Sequence, residues 1–408
     1  MNKKAFLTLS IVIFASTIGM SILSPLMSLY AQTMGASGLW LGIMFSGFSL
    51  SRAVFQPVSG WLSDRKDRKM LIIIGLAAYT LVSLGYAVAN TLYTLTTVRL
   101  LHGVASALVT PVAQAYVGDL IPKGKEGTYM NLFMMAMYLG MASGPFLGGM
   151  LNDNYGMNVA FYVMAAFSAF ALLLHVIFVP VIKAKAHKSR AGLGAMLNLL
   201  KDNRMKAVAL HLSSRGILRQ GITAFLPLFS AKLLGFDTTI IGLVTSVFAF
   251  TEAISQGIVG PIADRMNKKV LVIGGSLLAS IIIFFGRYMT DALGQLLVLV
   301  PVAVMASVAR AAASAYSVEI GAKHNSMGAC MGLSNAAQDL GHFIGPVLFG
   351  WAIDVFGESA IFAVGGISGL IAVPPMIYYL LAKQPEETYI AEPEPVRETG
   401  GDGNGGGN

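Results

Sequence analysis

Gly60-Trp61-Leu62-Ser63-Asp64-Arg65-Lys66-Asp67-Arg68-Lys69 sets a burst of charge between two long apolar runs, and 200 residues later the chain reads Gly260-Pro261-Ile262-Ala263-Asp264-Arg265-Met266-Asn267-Lys268-Lys269. The glycine, the Asp-Arg pair and the last two basic positions stay in register. A short cationic turn between segments of membrane length, once in each half, points to a duplicated membrane protein whose halves share one orientation.

Composition agrees: of 408 residues, 55% are hydrophobic and 12% charged, which lies outside the range of soluble domains. Taking about 20 apolar residues as one crossing, twelve spans cover roughly 5–31, 39–62, 70–90, 93–120, 127–151, 159–182, 207–232, 238–263, 270–289, 294–320, 327–350 and 360–382. Runs this long without period-two alternation are helices, not barrel strands. The expected fold is therefore an all-α membrane protein with 12 transmembrane helices in two pseudo-symmetric six-helix bundles, 1–182 and 207–383. A linker loop at 183–206 joins them, and a tail at 384–408, rich in Pro, Glu and Gly, cannot bury a core and should be disordered. The first run, after Lys3 and Lys4, is longer than a signal-peptide core and reads as a retained span.

Of the loop cations only Lys232 and Arg287 fall on the side opposite the repeated turns, so both termini are expected in the cytoplasm, with the chain in the inner membrane of a prokaryote. The net charge of +8 is thus topological, and with no basic face carrying interleaved aromatics a nucleic-acid partner is not expected. The single cysteine, Cys330, excludes an internal disulfide and a CxxC site. No HExxH, GxSxG or P-loop occurs, so the sequence predicts no enzyme, cofactor or metal site. A monomer in the lipid bilayer is expected.

The duplication extends past the turns. At an offset of 200, Arg52 and Gln56 align with Glu252 and Gln256, and Tyr116 and Asp119 with Tyr316 and Glu319. At 201, Gly140, Gly144, Pro145, Gly149, Asp153, Gly156 and Phe161 align with Gly341, Gly345, Pro346, Gly350, Asp354, Gly357 and Phe362. Six spans per half in parallel repeat is the pattern of a facilitator-type transporter.

On these residues the chain resembles the major facilitator superfamily over essentially its whole length before the tail. The family's loop motif, Gly-x-x-x-Asp-Arg-x-x-Arg-Lys, is met by Gly60, Asp64, Arg65, Arg68 and Lys69, and in the second half with Lys268 in place of arginine. Asp67 stands where many members have glycine. The resemblance implies a cytoplasmic gate. Asp64 would face the positive N-terminal end of span 11, and Asp264, beside Arg265, that of span 5, each contact worth about 0.3–2 kcal/mol. Such contacts exist only when the cytoplasmic side is shut, so they bias a two-state equilibrium. The alternative is that the basic residues only set topology. In span 5, Gly140, Gly144, Pro145, Gly148 and Gly149 resemble the Gly-Pro motif of the drug:proton antiporter branch, although Asn131 replaces an earlier glycine. That implies a seal between the halves, whereas the echo at Gly345 and Pro346 fits plain close helix packing equally well. In span 4, Arg99-Leu100-Leu101-His102-Gly103 resembles an Arg-x-x-Gln-Gly element associated with proton transfer in proton-linked members. Arg99 can instead simply hydrogen-bond a neighbouring helix.

An ionisable group at membrane depth costs about 2.5–3.5 kcal/mol or more and is a functional candidate by default. The spans hold Arg52, Arg99, Arg215, Arg219 and Arg310 against Glu252 and Asp339, with His102, His211 and His342. His211, Arg215 and Arg219 recur every four residues, on one face of span 7. The resemblance implies that spans 1, 4, 7 and 10 line a central cavity, so this stripe, Arg310 and Arg99 are the candidate substrate-binding residues. Surplus guanidinium groups favour a carboxylate or phosphate. The competing reading is internal neutralisation, of Arg52 by Asp339 and of Arg215 or Arg219 by Glu252. A coupled proton needs a group that changes charge, which arginine cannot do. Glu252, Asp339, His102 and His342 are the candidates, with Arg52 as a partner.

The leading expectation is a secondary transporter working by alternating access, with proton-coupled efflux of an amphipathic or anionic small organic molecule. The alternatives are proton-coupled uptake or exchange of an organic anion, or a transport-inactive receptor or scaffold.

Overall fold

The computed structural model describes residues 3–65, 67–121, 125–181, 198–324 and 326–382, and leaves out the side chains at 64, 126–128, 257, 260–265 and 328. Twelve long helices appear among the described residues: α1 Lys3–Thr33, α2 Gly38–Arg65, α3 Arg68–Val88, α4 Leu92–Leu120, α5 Glu126–Tyr155, α6 Met157–Phe178, α7 Asn203–Leu234, α8 Thr238–Arg265, α9 Lys268–Phe284, α10 Ala292–Lys323, α11 Met327–Phe356 and α12 Ala360–Leu381. Eleven of these are long and apolar enough to cross a membrane. The other is α11, which carries Asn335, Gln338, Asp339 and His342 and packs against α2 and α7. The tail at 384–408 and most of the linker lie outside the described residues.

Side-chain caps fix where helices begin. Asp67 caps α3 and Asn267 caps α9, each accepting from the backbone N–H two residues on, at Lys69 and Lys269. The repeated turn is thus a helix start in both halves, and Asp67 supplies a cap where the family's glycine would not. Asp202 caps α7 through the Arg204 N–H, so α7 begins at Asn203 rather than at 207 and the linker is shorter than the sequence suggested. Burial pushes the Asp202 carboxyl up, but hydrogen bonds from the Arg204 side chain and backbone hold it below its ordinary value. The cap is therefore intact at neutral pH and is lost as pH falls through the acid range. Asp202→Ala should cost about 1 kcal/mol, read as a lower unfolding temperature that converges with the parent on acidification. Gly156 is the single connection between α5 and α6, and Gly357 opens the three-residue connection between α11 and α12, at φ of +85° and +84°, which an L side chain rarely adopts.

Each half packs in the same pattern. In the N-terminal bundle α1 lies on α5 and α6, α2 on α4, and α3 on α4 and α6; six helices later, α7 lies on α11 and α12, α8 on α10, and α9 on α10 and α12. The bundles meet chiefly along α2–α11 and α5–α8. Gly140, Gly144 and Gly148 turn inward onto α1, where a methyl group on Gly144 would lie 2.7 Å from the Ile18 carbonyl oxygen; Gly345 packs likewise on Ile217 of α7. The residues next to these reach the other bundle: Pro145 and Gly149 face Gly242 and Thr238, and Pro346 and Gly350 face Gly42 and Gly38.

These contacts all lie towards the end remote from the basic turns. There Asp354, at the end of α11, accepts from the N–H groups of Gly38 (2.6 Å) and Leu39 (2.8 Å) at the start of α2. Asp153, at the end of α5, accepts from the N–H groups of Thr238 (3.2 Å) and Thr239 (2.7 Å) at the start of α8, and from both threonine hydroxyls. Asn152 donates to the Thr238 hydroxyl, the Phe146 N–H to Ser246, and Ser46 to the Phe343 carbonyl. At the basic end the described residues show no such contacts: a methyl group on Gly60 would meet nothing within 4 Å, and Val54, Val58, Trp61, Ile254 and Ile258 are exposed. Among the described residues the two bundles are thus tied together at the remote end. Gly42→Leu with Gly242→Leu should wedge the remote end apart and lower transport at least about tenfold without loss of membrane insertion. An unchanged rate in vesicles would show that this close approach is not needed.

Candidate substrate path and its charged triad

Glu252 of α8 bridges two arginines of α7. Its Oε1 accepts from Arg215 Nη2 at 2.7 Å and its Oε2 from Arg219 Nε at 2.9 Å. The sequence offered Arg215 or Arg219 as partner, and the fold uses both. Arg215 and Glu252 are buried, whereas the Arg219 side chain keeps 27% exposure towards the path. With two guanidinium groups on one carboxylate, the triad carries a net positive charge. Arg310 of α10 is partly exposed and has no carboxylate within ion-pair distance among the described residues. It adds to the positive field at Glu252 and Arg215. Removing one member of a buried pair strands the other charge at a cost of about 3–5 kcal/mol, so α7 and α8 are held together by charges that neither can surrender alone.

His211 departs from the expectation of a shared face. It is buried, and its Nδ1 lies 2.8 Å from the Ser276 hydroxyl of α9, inside the C-terminal bundle rather than on the path. The reason is helical: each step of four residues drifts about 40° round the axis. Arg52 does not pair with Asp339 either. Asp339 instead has His342 at 3.6 Å, one turn along α11, and among the described residues Arg52 forms no ion pair. Arg99 of α4 lies over the faces of Phe48 (4.5 Å) and Phe45 (5.1 Å) of α2. His102 is fully buried, edge-on to Phe48, Tyr79 and Tyr86, with its Nδ1 3.1 Å from the Tyr86 hydroxyl. These two residues share an aromatic pocket within the N-terminal bundle, between α2, α3 and α4, apart from the triad. Cation–π contact of this kind stabilises a desolvated cation by about 2 kcal/mol.

At the basic end the side chains of Asp64, Asp264 and Arg265 lie outside the described residues. Arg65 is exposed and stacks on Trp61 at 4.3 Å. Arg68 is not at the boundary between bundles. Buried, it bonds Asp119 of α4 and the carbonyls of Ser63 and Ala115, and Lys268 repeats this with Glu319. This last basic pair of the motif ties helices within each bundle. The residues that sequence reasoning missed are Asp153 and Asp354. They stood out only as repeated acids after a glycine stripe, although each closes the remote end by capping a helix of the other bundle.

The comparisons agree with this architecture. The Major Facilitator Superfamily model matches residues 9–240 and 208–400. An MFS-type transporter of Methanocaldococcus jannaschii is 30% identical over 381 residues, covering 90% of this chain and 96% of that protein. The quinolone resistance protein NorA of Staphylococcus aureus is 24% identical over 372 residues, covering 90% and 94%. A solved bacterial homologue of the human lysosomal transporter Spinster, inward-facing and unoccupied, aligns at TM-score 0.77 with 14% identity over 92% of this chain and 94% of that one. With two matching bundles, their shared interface helices and family matches in both halves, the chain belongs to the major facilitator superfamily of membrane transporters.

Proposed function

We propose that this transporter exports an amphipathic small molecule, with an anionic group, by alternating access coupled to protons through Glu252. The observation that carries the reading is the Arg215–Glu252–Arg219 triad beside Arg310, which has no ion-pair partner among the described residues. Arginine stays charged, so Glu252 is the member able to load a proton, and protonation would dissolve both ion pairs at once. Asp339, His342 and His102 are secondary titratable candidates, and no organic cofactor is invoked. Arg219 and Arg310 would hold the anionic group while the apolar faces of the path take the rest. The name of the quinolone resistance relative speaks of drug resistance, which export of a drug would produce. With the basic loops in the cytoplasm, the contacts at the remote end would close the outer side, and the path would take substrate from the cell or the inner leaflet. A monomer suffices, because both halves of the path lie in one chain.

The test is substrate selection in proteoliposomes: amphipathic anions should be transported and compete with one another, and Arg219→Gln should raise their half-saturation concentration at least about tenfold, the worth of one charge-assisted bond. Transport of cationic dyes with anions ignored would overturn the electrostatic part of the reading.

A second reading, uptake or exchange of an organic anion, is favoured by one feature of the triad. A substrate carboxylate that takes Arg219 from Glu252 makes Glu252 easier to protonate, so anion and proton would bind together, as in cotransport. The direction in which an acid exterior drives substrate separates the two.

A further inference from the structure

Beside the triad, α7, α9, α10 and α12 line a small, partly open cavity of about 20 Å³, in which His211, Ser214, Arg215 and Ser276 stand among apolar neighbours such as Leu218, Ala279 and Ala306. That is room for one water or one halide-sized ion. Two of its lining side chains are more than nine-tenths buried and leave nitrogens without a hydrogen-bond partner: Nε2 of His211, and Nε and Nη1 of Arg215. Arg215 spends only Nη2 on Glu252.

We propose that this cavity is a binding site for a small monovalent anion of halide size. Donor chemistry is the first reason. The Ser276 hydroxyl lies 2.6 Å from the Val272 carbonyl and 2.8 Å from His211 Nδ1, and its single hydrogen can serve either. When it serves Nδ1, the neutral imidazole carries its hydrogen on Nε2 and becomes a donor. The cavity then offers N–H groups from both His211 and Arg215. Charge is the second reason. Arg215 and Arg219 share the carboxylate of Glu252, Arg310 adds its charge beside them, and a bound anion lowers that surplus where water cannot. Size is the third. The space excludes an organic substrate, so the ion would sit beside the triad and firm the seat of Arg215 without competing for Arg219.

The test is equilibrium binding of radiolabelled chloride to the purified full-length protein in detergent, with gluconate holding ionic strength constant. One saturable site per chain is expected, displaced by bromide and not by gluconate. His211→Leu, which removes a donor, and Ala279→Leu, which fills the cavity, should each weaken it at least about tenfold. Should Ala279→Leu fail to fold, the parent protein decides: its unfolding temperature should be higher in chloride or bromide than in gluconate, and His211→Leu should erase the difference. No saturable chloride, or chloride that Arg310→Gln removes and His211→Leu leaves in place, would overturn the proposal, the second result assigning the ion to the substrate path. Because binding is read without transport, failure here leaves the export reading standing, and a transporter that ignores protons can still hold the ion.

Discussion

Glu252→Gln is expected to uncouple transport from protons and to destabilise the C-terminal bundle together. The carboxylate is buried and shared by Arg215 and Arg219. Its neutral amide keeps an acceptor but leaves Arg215 buried with no counter-charge, for a loss of about 3 kcal/mol or more. The double variant Arg215→Gln/Glu252→Gln removes both charges and should recover most of that stability, so a thermal-unfolding cycle will give strong coupling between the two positions. A loss in the double variant equal to the sum of the two single losses would mean that the pair adds nothing. In transport, the single variant should still exchange substrate for substrate while losing its response to a pH gradient, because it can move between states but cannot load a proton.

Asp153→Ala with Asp354→Ala should shift the resting population away from the state seen here. Each carboxylate caps the first turn of a helix in the other bundle, and losing such a cap costs about 1 kcal/mol, less at high salt because both acids are exposed. Together that is about 2 kcal/mol, or roughly 30-fold in the ratio of remote-open to remote-closed molecules. Spin labels in the α1–α2 and α7–α8 loops will report it as growth of a longer distance. An unchanged distribution would show that glycine packing alone holds the remote end. With the expected roles of Asp64 and Asp264, the arrangement becomes reciprocal. α2 would offer a carboxylate to the start of α11 at one end and receive one from the end of α11 at the other, and α8 and α5 would do the same. Rocking then exchanges one pair of caps for the other.

The fold was legible in the sequence because its signals are local. Charge bursts at Gly60–Lys69 and Gly260–Lys269, apolar runs between them and a fixed offset each need only neighbouring residues. The partnership of Glu252 with span 7 was visible because so few acids exist at membrane depth. What failed depended on rotation and on distant elements. His211 shares a period with Arg219, yet the drift of the helix carries it to α9. Arg68 was expected in the cytoplasmic gate, yet it pairs within its own bundle with Asp119, which was already in register with Glu319, the partner of Lys268. The aromatic surround of Arg99 and His102 is gathered from two other helices, α2 and α3, and nothing at Arg99–Gly103 announces it. Asp153 and Asp354 were seen as repeats but not as caps, because their partners begin helices 85 and 316 residues away.

The most direct test of coupling through Glu252 is substrate flux in proteoliposomes under an imposed pH gradient, comparing the parent with Glu252→Gln. The parent should move an amphipathic anion against its concentration gradient only while the pH gradient lasts, and Glu252→Gln should only equilibrate it. Accumulation by Glu252→Gln equal to that of the parent would contradict the account.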